Sequence, residues 1–307
     1  MSASSVAPSS MNEQATGRGI VLSVNASALF ALLSAYTLWL APLGGLDVFA
    51  WRVIWTVPGA LLLLAQRGRT AQMRALFARM LGDARTAFVL VRSAALLGVQ
   101  MWLFQWAPLH GRMLEVSLGY FLLPLVMVLV GRIYYRERLD AMQWLAVACA
   151  AAGVAHELVV THALAWPTLL VAFGYPLYFV LRRKIDADSL ATFAIEMLLL
   201  LPVAAFEVWL GGSLDLLGPR PLLAFVLLPG LGALSAVAQG FYLKASRVLP
   251  LGLFGILCYL EPVLLVVVSV SLLGEHFEAR QFATYGPIWI AVSLTAVHSA
   301  RFLRIRR

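Results

Sequence analysis

Apolar runs long enough to cross a hydrocarbon core recur along almost the whole chain, and this feature leaves few folds open. Runs such as Val263–Leu273 are apolar at nearly every position. A lipid-facing barrel strand alternates apolar and polar residues with period two, so the pattern points to helices rather than a β-barrel. Composition agrees: 62% of residues are hydrophobic and 12% are charged, about half the charge of an ordinary soluble domain. Disorder of the whole chain would need low hydrophobicity. The two cysteines, Cys149 and Cys258, both lie inside apolar runs and do not make a disulfide scaffold. The fold class expected is an all-α polytopic membrane protein.

Dividing the runs at charges and turns gives ten expected transmembrane helices, near residues 20–41, 46–65, 87–107, 113–131, 141–158, 164–181, 189–210, 221–245, 251–272 and 281–299. Residues 1–19 are polar and read as a disordered cytoplasmic tail, and residues 300–307 as a basic cytoplasmic tail. The longest link, Gln66–Thr86, carries an amphipathic stretch expected to lie on the membrane surface.

The net charge of +8 does not call for nucleic acid, because the basic residues fall in small groups between apolar runs. With the N-terminus in the cytoplasm, one side receives Arg18; Arg67, Arg69, Arg74, Arg79 and Arg85; Arg132, Arg136 and Arg138; Arg182, Arg183 and Lys184; Lys244 and Arg247; and Arg301, Arg304, Arg306 and Arg307. The other side receives Arg112, Arg220 and Arg280, while Arg52 and Arg92 fall within helices. Such a bias is what the positive-inside rule produces for an even number of spans in the inner membrane, with both termini cytoplasmic.

The two halves align at a constant offset of 138 residues. Leu122, Pro124, Val128, Val130, Glu137, Ala141 and Gln143 meet Leu260, Pro262, Val266, Val268, Glu275, Ala279 and Gln281, and Phe121 meets Tyr259. A looser match at offset 144 sets Arg52 and Pro58 against Glu196 and Pro202. Residues 20–158 and 159–299 are thus read as two five-helix repeats. Five is odd, so the halves insert in opposite orientations. Inverted repeats are a frequent plan of secondary transporters, since two similar halves can exchange roles and open a central site to either side.

The segments Phe49-Ala50-Trp51-Arg52-Val53-Ile54-Trp55, Met113-Leu114-Glu115-Val116-Ser117-Leu118-Gly119-Tyr120-Phe121 and Met142-Gln143-Trp144-Leu145-Ala146 resemble the RarD branch of the EamA proteins, in the drug/metabolite transporter superfamily. The resemblance runs from about residue 19 to 300. It implies ten helices in two inverted five-helix repeats, an inner-membrane location and transport of small metabolites or drugs, with export the direction expected. Leu123, Gln100 and Glu261 depart from the pattern of that branch, so the resemblance does not carry a substrate identity with it.

A charge at mid-membrane is costly on insertion scales, about 2.5–3.5 kcal/mol, so embedded ionisable residues are candidates for function. The substrate-binding set expected is Arg52, Gln100, Trp106, Glu115, Tyr120, Glu196, Tyr259 and Glu261. Arg52 and Glu196 stand at corresponding places in the repeats and are the expected buried pair, serving either helix packing or transport. Glu115 lies in a first helical turn, where capping competes with a binding role. Glu137 and Glu275, at membrane edges beside basic residues, are expected to hold structure. The five histidines are scattered and there is no phosphate-binding glycine loop, so no metal, cofactor or ATP drive is expected. The function expected is a secondary transporter moving a small amphipathic or zwitterionic solute through the lipid bilayer by alternating access. A proton is one candidate for the coupling ion, and a homodimer one candidate assembly. The alternative is an intramembrane enzyme acting on a lipid or isoprenoid.

Overall fold

The computed structural model describes residues 8–109, 112–161 and 165–261, and beyond them residues 263, 264, 267, 282–284, 286–291, 293 and 294. Among the described residues all regular structure is helical. The protein is an all-helical, multi-pass membrane protein. Six helical stretches are long and apolar enough to cross a membrane: Thr16–Leu33, Gly45–Gln66, Ala84–Leu103, Ala141–Val160, Ser189–Gly211 and Leu223–Val248.

The first helix, α1, covers Pro8–Tyr36. Residues 8–19, expected as part of a disordered tail over 1–19, are helical here, and residues 1–7 lie outside the described residues. Pro8 opens the helix, where a missing N–H costs nothing, and no further proline follows before the apolar run begins. Helix α2 spans Gly45–Gln66, and the Asp47 carboxylate at its third position takes the Gly44 N–H at 3.0 Å. The amphipathic link forms α3, Thr70–Gly82, whose Leu76 is buried against the bundle. Next come α4, Ala84–Leu109, and α5, Met113–Ile133. Helix α6, Ala141–Thr161, opens with a reciprocal box: the Gln143 N–H donates to Asp140 Oδ1 at 2.8 Å, and the Asp140 N–H donates to Gln143 Oε1 at 3.0 Å. Gln143, one of the residues matched at the offset of 138, is therefore a capping residue. Its counterpart Gln281, like Glu275, lies outside the described residues.

Helix α7 covers Trp166–Arg183, and α8 covers Ser189–Gly211. Asp188 caps α8 by accepting from the Leu190 and Ala191 N–H groups at 3.0 and 3.2 Å. A short α9, Ser213–Leu217, leads to a π-turn over Leu223–Leu227 and then to α10, Leu228–Val248. Pro229 explains the wider turn, since it offers no N–H and its ring would crowd a regular preceding turn. Helix α11 covers Leu251–Cys258. The expected tenth span, 281–299, is described only at the scattered positions above, all helical.

Helix α2 packs on α8 and α10, α1 on α10, α4 on α7 and α8, and α5 on α7 and α11. Helices α2 and α10 approach closely. A Cβ at Gly232 would run into the Trp55 backbone, and one at Gly59 would lie 3.1 Å from the Ala236 methyl. At the centre, Phe179 faces Phe254 at 5.3 Å and Tyr242 at 5.6 Å between ring centroids. These offset and edge contacts join α7, α10 and α11.

Candidate functional site

Arg52 projects from α2 and donates from Nε to Ser235 Oγ on α10 at 2.9 Å. Its electrostatic neighbours are Tyr175 on α7, Tyr120 on α5 and Glu261, three residues beyond α11. The Tyr120 and Tyr175 hydroxyls share a hydrogen bond, with ring centroids 6.1 Å apart. Arg52 and Glu261 act on one another electrostatically without forming a direct ion pair among the described residues. All four side chains are partly exposed, whereas Phe179 and Phe254 beside them are buried. Tyr242 extends the set: its hydroxyl lies 3.5 Å from Cys258 Sγ, and it too senses Glu261 and Tyr175. The arrangement brings a cation, an anion, hydroxyl donors and aromatic faces close to one another.

Glu196 does not join this group, which corrects its expected pairing with Arg52. It is fully buried and forms an ion pair with Arg182 of α7. The Tyr178 hydroxyl donates to Glu196 Oε2 at 3.1 Å, and Ser93 Oγ of α4 donates to Oε1. Arg182 also donates to Tyr178 Oη at 3.0 Å and to the Ser189 carbonyl. The physical reason is packing. Tyr178 and Arg182 of α7 both reach Glu196, while Arg52 of α2 meets Ser235 of α10.

The other expected residues are mostly structural. Gln100 is buried and donates to the Leu170 carbonyl at 2.7 Å, tying α4 to α7. Glu115 pairs with Arg112 at 3.3 Å, and its carbonyl accepts from Thr168 Oγ1 at 2.7 Å. Tyr259 is buried and donates to the Phe121 carbonyl at 2.9 Å. The Trp106 side chain lies outside the described residues. Glu137 accepts from the Leu251 and Gly252 N–H groups at 2.6 and 2.8 Å, capping α11 as a structural group. The residues missed were Tyr175 and Ser235 in the central group, and Arg182, Tyr178 and Ser93 around Glu196. Tyr178 and Arg182 are one helical turn apart on α7, a spacing that puts them on one face.

No family model matches the chain. It is 49% identical over 290 residues to the chloramphenicol-sensitive protein RarD of Pseudomonas aeruginosa, covering 94% of this chain and 97% of that protein. The chain belongs to the RarD family. RarD of Escherichia coli is 30% identical over 286 residues, covering 92% of this chain and 95% of that one. An uncharacterized transporter of Pasteurella multocida is 38% identical over 298 residues, covering 94% and 98%. One solved crystal structure overlays with a TM-score of 0.65 over 92% of this chain and 98% of its own, at 16% identity, a likeness of fold alone. In this RarD-family member the residues of the family-like segments divide between the central group and helix ends. Arg52 and Tyr120 reach the central group, while Glu115 and Gln143 fasten helix ends.

Proposed function

We propose that this RarD-family protein is a secondary transporter of the inner membrane. It moves a small amphipathic solute by alternating access, in the direction of export, with both termini in the cytoplasm. Arg52, Tyr120, Tyr175 and Glu261 carry this conclusion. Four helical segments bring a cation, an anion and two hydroxyls, all partly exposed, into electrostatic reach of one another beside buried core aromatics. A charge left unpaired in low dielectric is costly, so a site that holds opposite charges apart favours a solute able to bridge them.

Several contacts support two inverted repeats. Tyr259 bonds Phe121, its own counterpart 138 residues away, as residues beside a two-fold axis do. Helix α2 meets α8, and α5 meets α11, the self-paired contacts such an axis requires. The α1–α10 contact corresponds to α7–α4, and α2–α10 to α8–α4. Arg52 finds a serine on α10, and Glu196 finds one on α4, the equivalent neighbour.

Reconstituted protein tests the reading through solute counterflow, with and without a pH gradient. Chloramphenicol, for sensitivity to which the Pseudomonas relative is named, and zwitterionic aromatic solutes serve as probes. Arg52→Ala and Glu261→Gln should fold and lose transport, while Tyr259→Phe should keep it. Wild-type transport by both charge variants would overturn the assignment.

A further inference from the structure

The end of the bundle where α2 and α10 finish carries a cluster of cations that the central site does not use. Lys244 of α10 senses Arg18 of α1 and Arg67 and Arg69 of the α2–α3 link as like charges, with Asp188 as an opposing one. Asp188 is already taken, because it forms an ion pair with Arg69 and caps α8. Arg18, Arg67 and Lys244 are left facing one another.

Packing independently places them together. Helices α2 and α10 touch at Gly59 and Ala236. In the proposed topology the two run parallel, and Arg67 and Lys244 lie equally far beyond that contact, so they come to the same level. At the start of α1, a Cβ on Gly19 would lie 2.6 Å from the Leu249 side chain, which sets Arg18 beside the end of α10. Helix α3 begins next to this cluster and has no acidic residue in its first turn. Its Leu76 face packs into the bundle, but Phe77 is 42% exposed and Leu81 72% exposed. Arg74, Phe77 and Leu81 share that outer face by helical spacing.

We propose that Arg18, Arg67 and Lys244, with the outer face of α3, bind the headgroup of an anionic phospholipid. The phosphate sits among the three cations, and Phe77 and Leu81 enter the acyl boundary beside it. Charge complementarity selects the occupant. Three cations that form no ion pair among the described residues favour an anion, and an amphipathic helix with exposed apolar residues at the same edge favours a lipid over a solute.

Native mass spectrometry and thermal unfolding of the purified, delipidated full-length protein test this. The probes are phosphatidylglycerol and phosphatidylcholine of identical chains, with glycerol 3-phosphate as the chain-free anion. Phosphatidylglycerol should bind and raise the unfolding temperature, and the other two should not. Each juxtamembrane cation contributes about fivefold to such binding, so Arg18→Ala with Arg67→Ala should weaken it about thirtyfold. Removing the same charge elsewhere, as Arg138→Ala with Lys184→Ala, should change it less than about twofold, since these two lie outside the cluster. The Arg18→Lys, Arg67→Lys variant should restore binding. Equal weakening by both alanine pairs, equal binding of the two lipids, or equal stabilisation by glycerol 3-phosphate would each overturn the proposal.

Discussion

Removing the Glu196 carboxylate should be among the most destabilising single changes in the bundle. Glu196 is fully buried, and its partner Arg182 is 1% exposed. Glu196→Ala strands the Arg182 charge and takes the acceptor from the Tyr178 and Ser93 hydroxyls. Breaking a buried pair costs about 3–5 kcal/mol, and the two orphaned hydroxyls place this case in the upper half of that range. Reversible unfolding in mixed micelles, by tryptophan fluorescence, measures the loss. Replacing both residues with methionine leaves no orphan charge and should recover all but about 1–2 kcal/mol, so the Arg182–Glu196 cycle should show strong coupling. The Arg52–Glu196 cycle should be additive within about 0.5 kcal/mol, because the two do not touch. A loss below about 1 kcal/mol for Glu196→Ala, or coupling to Arg52 instead of Arg182, would refute the reasoning.

Tyr259→Phe removes one hydrogen bond to the Phe121 carbonyl and should cost about 0.5–1.5 kcal/mol in the same unfolding assay, with solute preference unchanged. Glu137→Gln leaves one of the two capping N–H groups of α11 without a good acceptor, and should lower folded yield while leaving solute preference intact. The Asp83 carboxyl, at the start of α4, is held below its usual range chiefly by the Thr86 hydroxyl, with the Arg85 and Thr86 N–H groups adding to the effect. A carboxyl lowered by folding stabilises above its unfolded pKa and loses that contribution as pH falls through the folded value. Amide-exchange protection at the start of α4 should therefore fall as pH drops below about 4, and Asp83→Asn should abolish that dependence.

Most helices were legible because apolar runs and turn residues mark them directly: the expected 46–65, 113–131 and 189–210 lie within a few residues of α2, α5 and α8. The start of α1 was not, since a polar helix outside the membrane lacks the apolar signal that located the others. Arg52 and Tyr120 were legible as site residues because an embedded charge and a motif tyrosine stand out. Glu196 was rightly picked as a buried charge but given the wrong partner. Matching residues by offset ignores which helix faces pack together, and packing decides which of them can touch. Arg182 was hidden by its neighbours Arg183 and Lys184, which made it look like one of a loop's topogenic charges. Tyr175 and Ser235 carry no sequence signal of their own, and only helix packing brings them to Arg52.

Alternating access through the central group is tested most directly at Tyr120. In a variant with Cys149→Ala and Cys258→Ala, Tyr120→Cys supplies a single thiol beside Arg52, Tyr175 and Glu261. A membrane-impermeant thiol reagent is then applied to right-side-out and to inverted vesicles. Labelling is expected from both sides, and a transported solute should block both. Labelling from neither side, or labelling from one side that no transported solute protects, would contradict a shared solute site that opens in turn to each face.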